Sequence, residues 1–137
     1  MTKREERQKA IEHARQQGAA QWESIKDMVG RMEAATEAER HYEADEILEE
    51  IHNDPLSVLV RTAWQQPGTP AEWDQFEILL CTGGPACRII GELDEYLEPY
   101  KARIEVQDWF TPWTEHYPDG FEEDLLLEYC RQFYFGG

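Results

Sequence analysis

The chain has 137 residues, 41% of them hydrophobic, with 5 Trp, 6 Tyr and 5 Phe, enough apolar material for one domain with a real core and too much for a disordered segment. Its formal net charge of −16 argues against binding nucleic acid or anionic membranes by the chain as a whole, because phosphate contact needs Lys and Arg. Three cysteines without a C-x-x-C spacing read as reduced thiols in a cytoplasmic setting. The opening MTKREERQKAIEHARQQ is charged from its third residue, and the longest aliphatic run, Ile78-Leu79-Leu80-Cys81, is short, so neither a signal peptide nor a membrane span is expected.

Residues 1–54 read as an N-terminal helical region. Ile11, Ala14, Gly18, Trp22, Ile25, Val29 and Met32 recur at three- and four-residue steps, the spacing of one helix face. Thr36 with Glu39 matches a capping box, which predicts the start of a second helix carrying Ala38, Tyr42, Leu48 and Ile51 inward. Pro55 ends that helix, since the residue before a proline avoids the helical region.

Residues 55–137 read as an α+β core in one unit with those helices. Four antiparallel strands are expected at about 57–64, 76–82, 86–93 and 101–107, followed by a helix at about 120–133 packed on the sheet. Ala102, Ile104 and Val106 alternate with Lys101, Arg103, Glu105 and Gln107, the pattern of a strand with one wet face. Asp119 with Glu122 resembles an N-cap pair, and Phe121, Leu125, Tyr129 and Phe133 follow at four-residue steps.

No catalytic constellation, cofactor motif or zinc spacing is present in the sequence. Cys81 and Cys87 are symmetric about Gly84 and lie opposite each other in a hairpin. They suit a cross-strand disulfide, a soft-metal pair or, most simply, two small apolar residues. Thr82-Gly83-Gly84-Pro85-Ala86 can form an anion nest, but it lacks the lysine and following helix of a phosphate loop and reads as a turn. His13, His41, His52 and His116 are scattered and read as surface residues. Asp108, Trp109 and Trp113, with Trp64 and Tyr134, make a candidate pocket, the alternative being a packed loop in which Asp108 accepts backbone amides.

The acidic residues show more pattern. Residues 1–56 hold 8 basic and 14 acidic groups, and residues 57–137 hold 5 and 15. Glu39, Glu43, Glu46 and Glu50 fall on one expected helix face, with Asp45 and Glu49 beside them. Neighbours at that spacing sit about 5–6 Å apart, a separation comparable to that of phosphates along a DNA strand. Asp94, Glu95 and Glu98 form a second group, and Asp119, Glu122, Glu123 and Asp124 a third, favoured by a helix N-terminus. A solvated, solubilising face is the simple reading, and a surface for a basic protein is the functional one.

The stretches Asp54-Pro55-Leu56-Ser57-Val58-Leu59-Val60-Arg61, Ile78–Ala86, Arg88–Glu95, Gln107-Asp108-Trp109 with Thr111–Thr114, and Tyr129–Gly136 carry a resemblance. Over about residues 54–136 the chain resembles a family of small proteins of bacterial prophages and mobile elements. Phe110 stands where that pattern has Gly. The resemblance implies a phage setting, in which small acidic proteins inhibit host defence, including anti-CRISPR and anti-restriction proteins that imitate DNA.

The expectation is therefore a non-enzymatic inhibitor, with no cofactor, that binds a basic host protein or nucleoprotein complex through Glu39, Glu43, Glu46 and Glu50, then Asp94, Glu95 and Glu98. The alternatives are a structural or regulatory phage protein that dimerises through its N-terminal helices, and a small-molecule binder at Trp64, Asp108, Trp109 and Trp113.

Overall fold

The computed structural model describes residues 2–109 and 111–136. Phe110 lies outside them. Helix α1 runs Lys3–Glu37, capped by the Thr2 hydroxyl, which accepts from Glu5 N at 3.1 Å. Its inward stripe changes character along its length. Ala10, Ala14 and Gly18 come first, then Trp22, Ile25, Met28 and Val29, all buried. The small residues let the helix axis approach the sheet, and the large ones fill the space beyond it. Trp22 meets Phe121 at 5.1 Å between ring centroids.

Helix α2 (His41–Asn53) folds back on α1, burying Ile47 and Ile51, with Leu48 half-buried. The sequence placed its start too early. Thr36 is still inside α1 and donates its hydroxyl to Met32 O at 2.8 Å. Ala38 is exposed, and Tyr42, expected inward, is 80% exposed.

The sheet has five strands in chain order, all neighbours antiparallel: β1 (Ser57–Arg61), β2 (Gln75–Cys81), β3 (Ala86–Leu93), β4 (Pro99–Gln107) and β5 (Thr114–His116). The expected α+β class and antiparallel meander are present, with a fifth strand that the sequence reading missed. Three residues after Pro112-Trp113 carry too little alternation to read. The first strand is shorter than expected: β2 begins at Gln75, opposite Arg61, so Thr62, Ala63 and Trp64 have no strand to pair with. Helix α3 (Glu123–Cys130) packs against β4 and α1. Glu122 holds its N-cap position without a side-chain bond, and Asp119 lies in the preceding turn, so the expected N-cap pair is absent.

One row crosses the helix-facing side of all five strands: Val58, Ile78, Ile89, Ile104 and His116. The histidine is thus the edge of a core row, not the surface residue expected. Its Cδ2 and the Val106 Cγ1 lie 2.6 Å and 2.7 Å from where a Cβ on Gly18 would sit. Burial first, and Arg15 second, hold the His116 pKa below its ordinary value.

On the opposite face, Leu79, Arg88, Glu105 and Glu115 form the matching row. Arg88 reaches Glu77 at 2.7 Å and Glu105 at 2.7 Å, and Arg103 reaches Glu105 at 3.1 Å and Glu115 at 3.3 Å. The face expected to be simply wet therefore buries Glu105 to 8% exposure inside a ladder of ion pairs.

Gly18 is predicted to resist replacement. Gly18→Ala is expected to cost about 1–3 kcal/mol by overpacking against His116 and Val106, despite the better helix propensity of Ala. Gly30, with no atom within 4 Å of an added Cβ, is the control, and Gly30→Ala should gain up to about 1 kcal/mol. Urea unfolding of both variants checks this. By the same measurement, Arg88→Met should destabilise by about 2–3 kcal/mol, because it strips Glu105 of its nearer cation, and Arg88→Met/Glu105→Leu should recover most of the loss.

Candidate functional site

The expected acidic stripe is rearranged by the turn between α1 and α2. Glu39 is not on a helix. It has φ of 57° and occupies the left-handed position that follows α1. Arg40 N donates to Ala35 O at 2.8 Å and Glu39 N to Thr36 O at 3.1 Å, the paired bonds of a Schellman turn. Glu43 and Glu50 do lie on α2 but are partly neutralised. Arg31 bridges Asp27 at 2.9 Å and Glu50 at 2.8 Å, and Arg40 approaches Glu43 at 3.5 Å. The bond to Glu50, helped by that to Asp27, outweighs desolvation and holds the Arg31 guanidinium still more firmly protonated than usual. These groups line a cleft of about 390 Å³ between the two helices.

On the hairpin, the carboxylates with neither an ion pair nor a side-chain hydrogen bond among the described residues are Glu33 and Glu37 on α1, Glu39 in the turn, and Asp45, Glu46 and Glu49 on α2. All six are exposed. Of these, the sequence pattern singles out Glu39 and Glu46 as binding residues, with Asp45 and Glu49 beside them. Glu33 and Glu37 were missed, although their four-residue spacing on a helix was a usable signal. Residues 27–54 hold ten acidic and two basic side chains, so about half the net charge of the chain sits on this helical hairpin.

The second expected group divides. Asp94 Oδ1 accepts from Tyr96 N at 2.8 Å and Glu98 N at 3.0 Å, so this carboxylate shapes the β3–β4 turn. Glu95 and Glu98 remain exposed there.

The candidate aromatic pocket does not assemble. Trp64 is fully exposed in the segment after β1, and Tyr134 is 82% exposed. Trp109 lies against Gly84 in the β2–β3 hairpin, leaving no room for a Cβ there. Trp113 stacks on the Arg88 guanidinium at 4.2 Å, on the open sheet face. Asp108 has the packed-loop role: it is 6% exposed, accepts from Trp109 N at 2.6 Å, and meets His13 Nδ1 on α1 at 3.1 Å.

Cys81 and Cys87 face each other across the hairpin as expected, and both are free thiols. Burial, and then the neighbouring Cys81, push the Cys87 pKa up to about 12. Among the described residues no three His, Cys, Asp or Glu side chains are grouped to hold a metal ion. No described helix is long and apolar enough to cross a membrane.

No protein-family model matches the chain, and no curated protein or solved structure shows detectable similarity to it.

The turn offers a separable test of charge and stability. Glu39→Gly is expected to stabilise the protein by up to about 1 kcal/mol, because a left-handed φ costs a residue with a Cβ about that much. Thermal unfolding should show a raised midpoint with one negative charge removed.

Proposed function

We propose that this protein is a non-enzymatic inhibitor of phage or mobile-element type that occupies the basic nucleic-acid site of a partner protein. The observation that carries the reading is the set of six exposed, unpaired carboxylates on the α1–α2 hairpin. Glu33 with Glu37, and Asp45 with Glu49, are spaced four apart on helices, so each pair lies about 5–6 Å apart on a semi-rigid support. Such like-charge neighbours cost a few tenths of a kcal/mol per pair. No ion pair among the described residues compensates them, whereas Arg31 pairs with Glu50 and Arg40 with Glu43 at the cleft. A partner rich in Lys and Arg supplies the missing counter-charge and is steered in by the field.

The apolar stripe of α1 supports an intermolecular role through charge and not through helix pairing. No large apolar side chain of α1 is exposed, because its stripe is buried within the chain.

The test uses the whole protein immobilised and exposed to bacterial extract at low salt. A nucleic-acid-binding protein should be retained, released as salt approaches 1 M, where the screening length falls to about 3 Å, and displaced from its DNA by the free chain. The variant Glu33→Gln/Glu37→Gln/Asp45→Asn/Glu46→Gln/Glu49→Gln should neither bind nor compete. Undiminished binding by that variant would sink the proposal.

A further inference from the structure

Cations are scarce in this chain, and most have carboxylate partners. Lys26, Arg31, Arg40, Arg88, Lys101, Arg103 and Arg131 all form ion pairs. Among the described residues, those without one are Arg61 and a set confined to the first half of α1: Lys3, Arg4, Arg7, Lys9 and Arg15. The unpaired cations are thus concentrated on the first half of α1, where Glu5, Glu6 and Glu12 accompany them.

Arg7 and Arg15 differ from the rest of the set because both line a groove of about 420 Å³. The groove lies between the first turns of α1 and the segment joining β4 to β5. Ile11, Val106 and Pro112 give it an apolar lining, and Thr111 and Thr114 add hydroxyl-bearing side chains. Its volume and mixture of apolar wall with a few polar groups suit a small molecule. His13 pairs with Asp108 at 3.1 Å and joins the helix to the segment that forms the other wall, so both walls are held in place. Glu115 also lines the groove, but its carboxylate is engaged by Arg103 at 3.3 Å and by the Tyr117 hydroxyl at 2.9 Å.

We propose that this groove binds a small amphipathic carboxylate, its acid group held by Arg7 and Arg15 and its apolar body lying on Ile11, Val106 and Pro112. The two arginines are eight residues apart, about 12 Å along the helix, and both line the groove. The Glu115 charge disfavours a second acidic group on the ligand. The apolar lining disfavours a bare inorganic anion, which gains nothing from it. The site is independent of the acidic hairpin and does not rest on the inhibitor reading.

The experiment is a titration of the full-length protein with octanoate, followed by backbone amide NMR, with octylamine and inorganic phosphate in parallel. Octanoate should give saturable shifts at Ile11–Arg15, Val106 and Thr111–Glu115, and the two controls should not. Arg7→Gln/Arg15→Gln should weaken octanoate about tenfold or more, the value of a lost charge-assisted bond, with unfolding temperature unchanged. Arg7→Lys/Arg15→Lys should retain most of the affinity. Equal binding of octylamine, full affinity in the Gln variant, or no saturable shift with millimolar octanoate would each overturn the assignment.

Discussion

The close approach of α1 to the sheet at Gly18 governs the rest of the architecture. A helix whose contact residues are Ala10, Ala14 and Gly18 sits lower on a sheet than one carrying Leu or Ile. At Gly18 the backbone comes near enough that His116 and Val106 occupy the space of a Cβ. This contact gives the three-residue β5 something to pack beneath and completes the core row that begins at Val58. It also sets the distance between α1 and the β4–β5 segment, and so the width of the groove flanked by Arg7 and Arg15. Beyond Gly18 the large residues Trp22, Ile25 and Val29 take over, and the helix continues to the hairpin with α2.

Electrostatics follow the same axis. Cations on β3 and β4 and in the interhelical cleft are matched to carboxylates. Cations without an ion pair, Arg61 apart, collect over the first turns of α1, whereas its last turns and α2 carry the unpaired carboxylates of the hairpin. The centres of the two sets on α1 are some 40 Å apart at about 1.5 Å per residue, several screening lengths at physiological salt. Each end therefore presents its own local field, and a chain of net charge −16 can carry a basic groove without self-contradiction. The Arg88–Glu105 ladder shows a different use of charge. There the pairs are partly buried, and Glu105 is held between two arginines on a sheet face that no helix covers.

The central strands and the helix stripe were legible because they rest on strong periodicity. Phe76, Ile78 and Leu80 alternate cleanly, and Ala14, Gly18, Trp22, Ile25 and Val29 keep helical spacing. The opposition of Cys81 and Cys87 followed from hairpin symmetry alone. Short periodicity and ambiguous local motifs do not define the structure in the same way. Thr36 and Glu39 fit a capping box as text, yet the hydrogen bonds of a Schellman turn and the burial of Ala35 carry α1 through Thr36. Glu39 accordingly left the acidic stripe, while Glu33 and Glu37 joined it.

The sequence by itself determined the α+β class, the inward face of α1, the strand-turn-strand hairpin about Gly84, and the excess of negative charge, since each depends on local spacing or on composition. Only the tertiary structure decided which charges stay unpaired. That depends on which side chains from distant segments meet, as Arg31 meets Glu50 and Arg88 meets Glu105. It also decided that His116 ends the helix-facing row at the edge of the core and that Trp64, Asp108, Trp109 and Trp113 part company. A side chain's neighbours across a sheet or beneath a crossing helix are set by register and packing, and neither is written in the residues on its own strand.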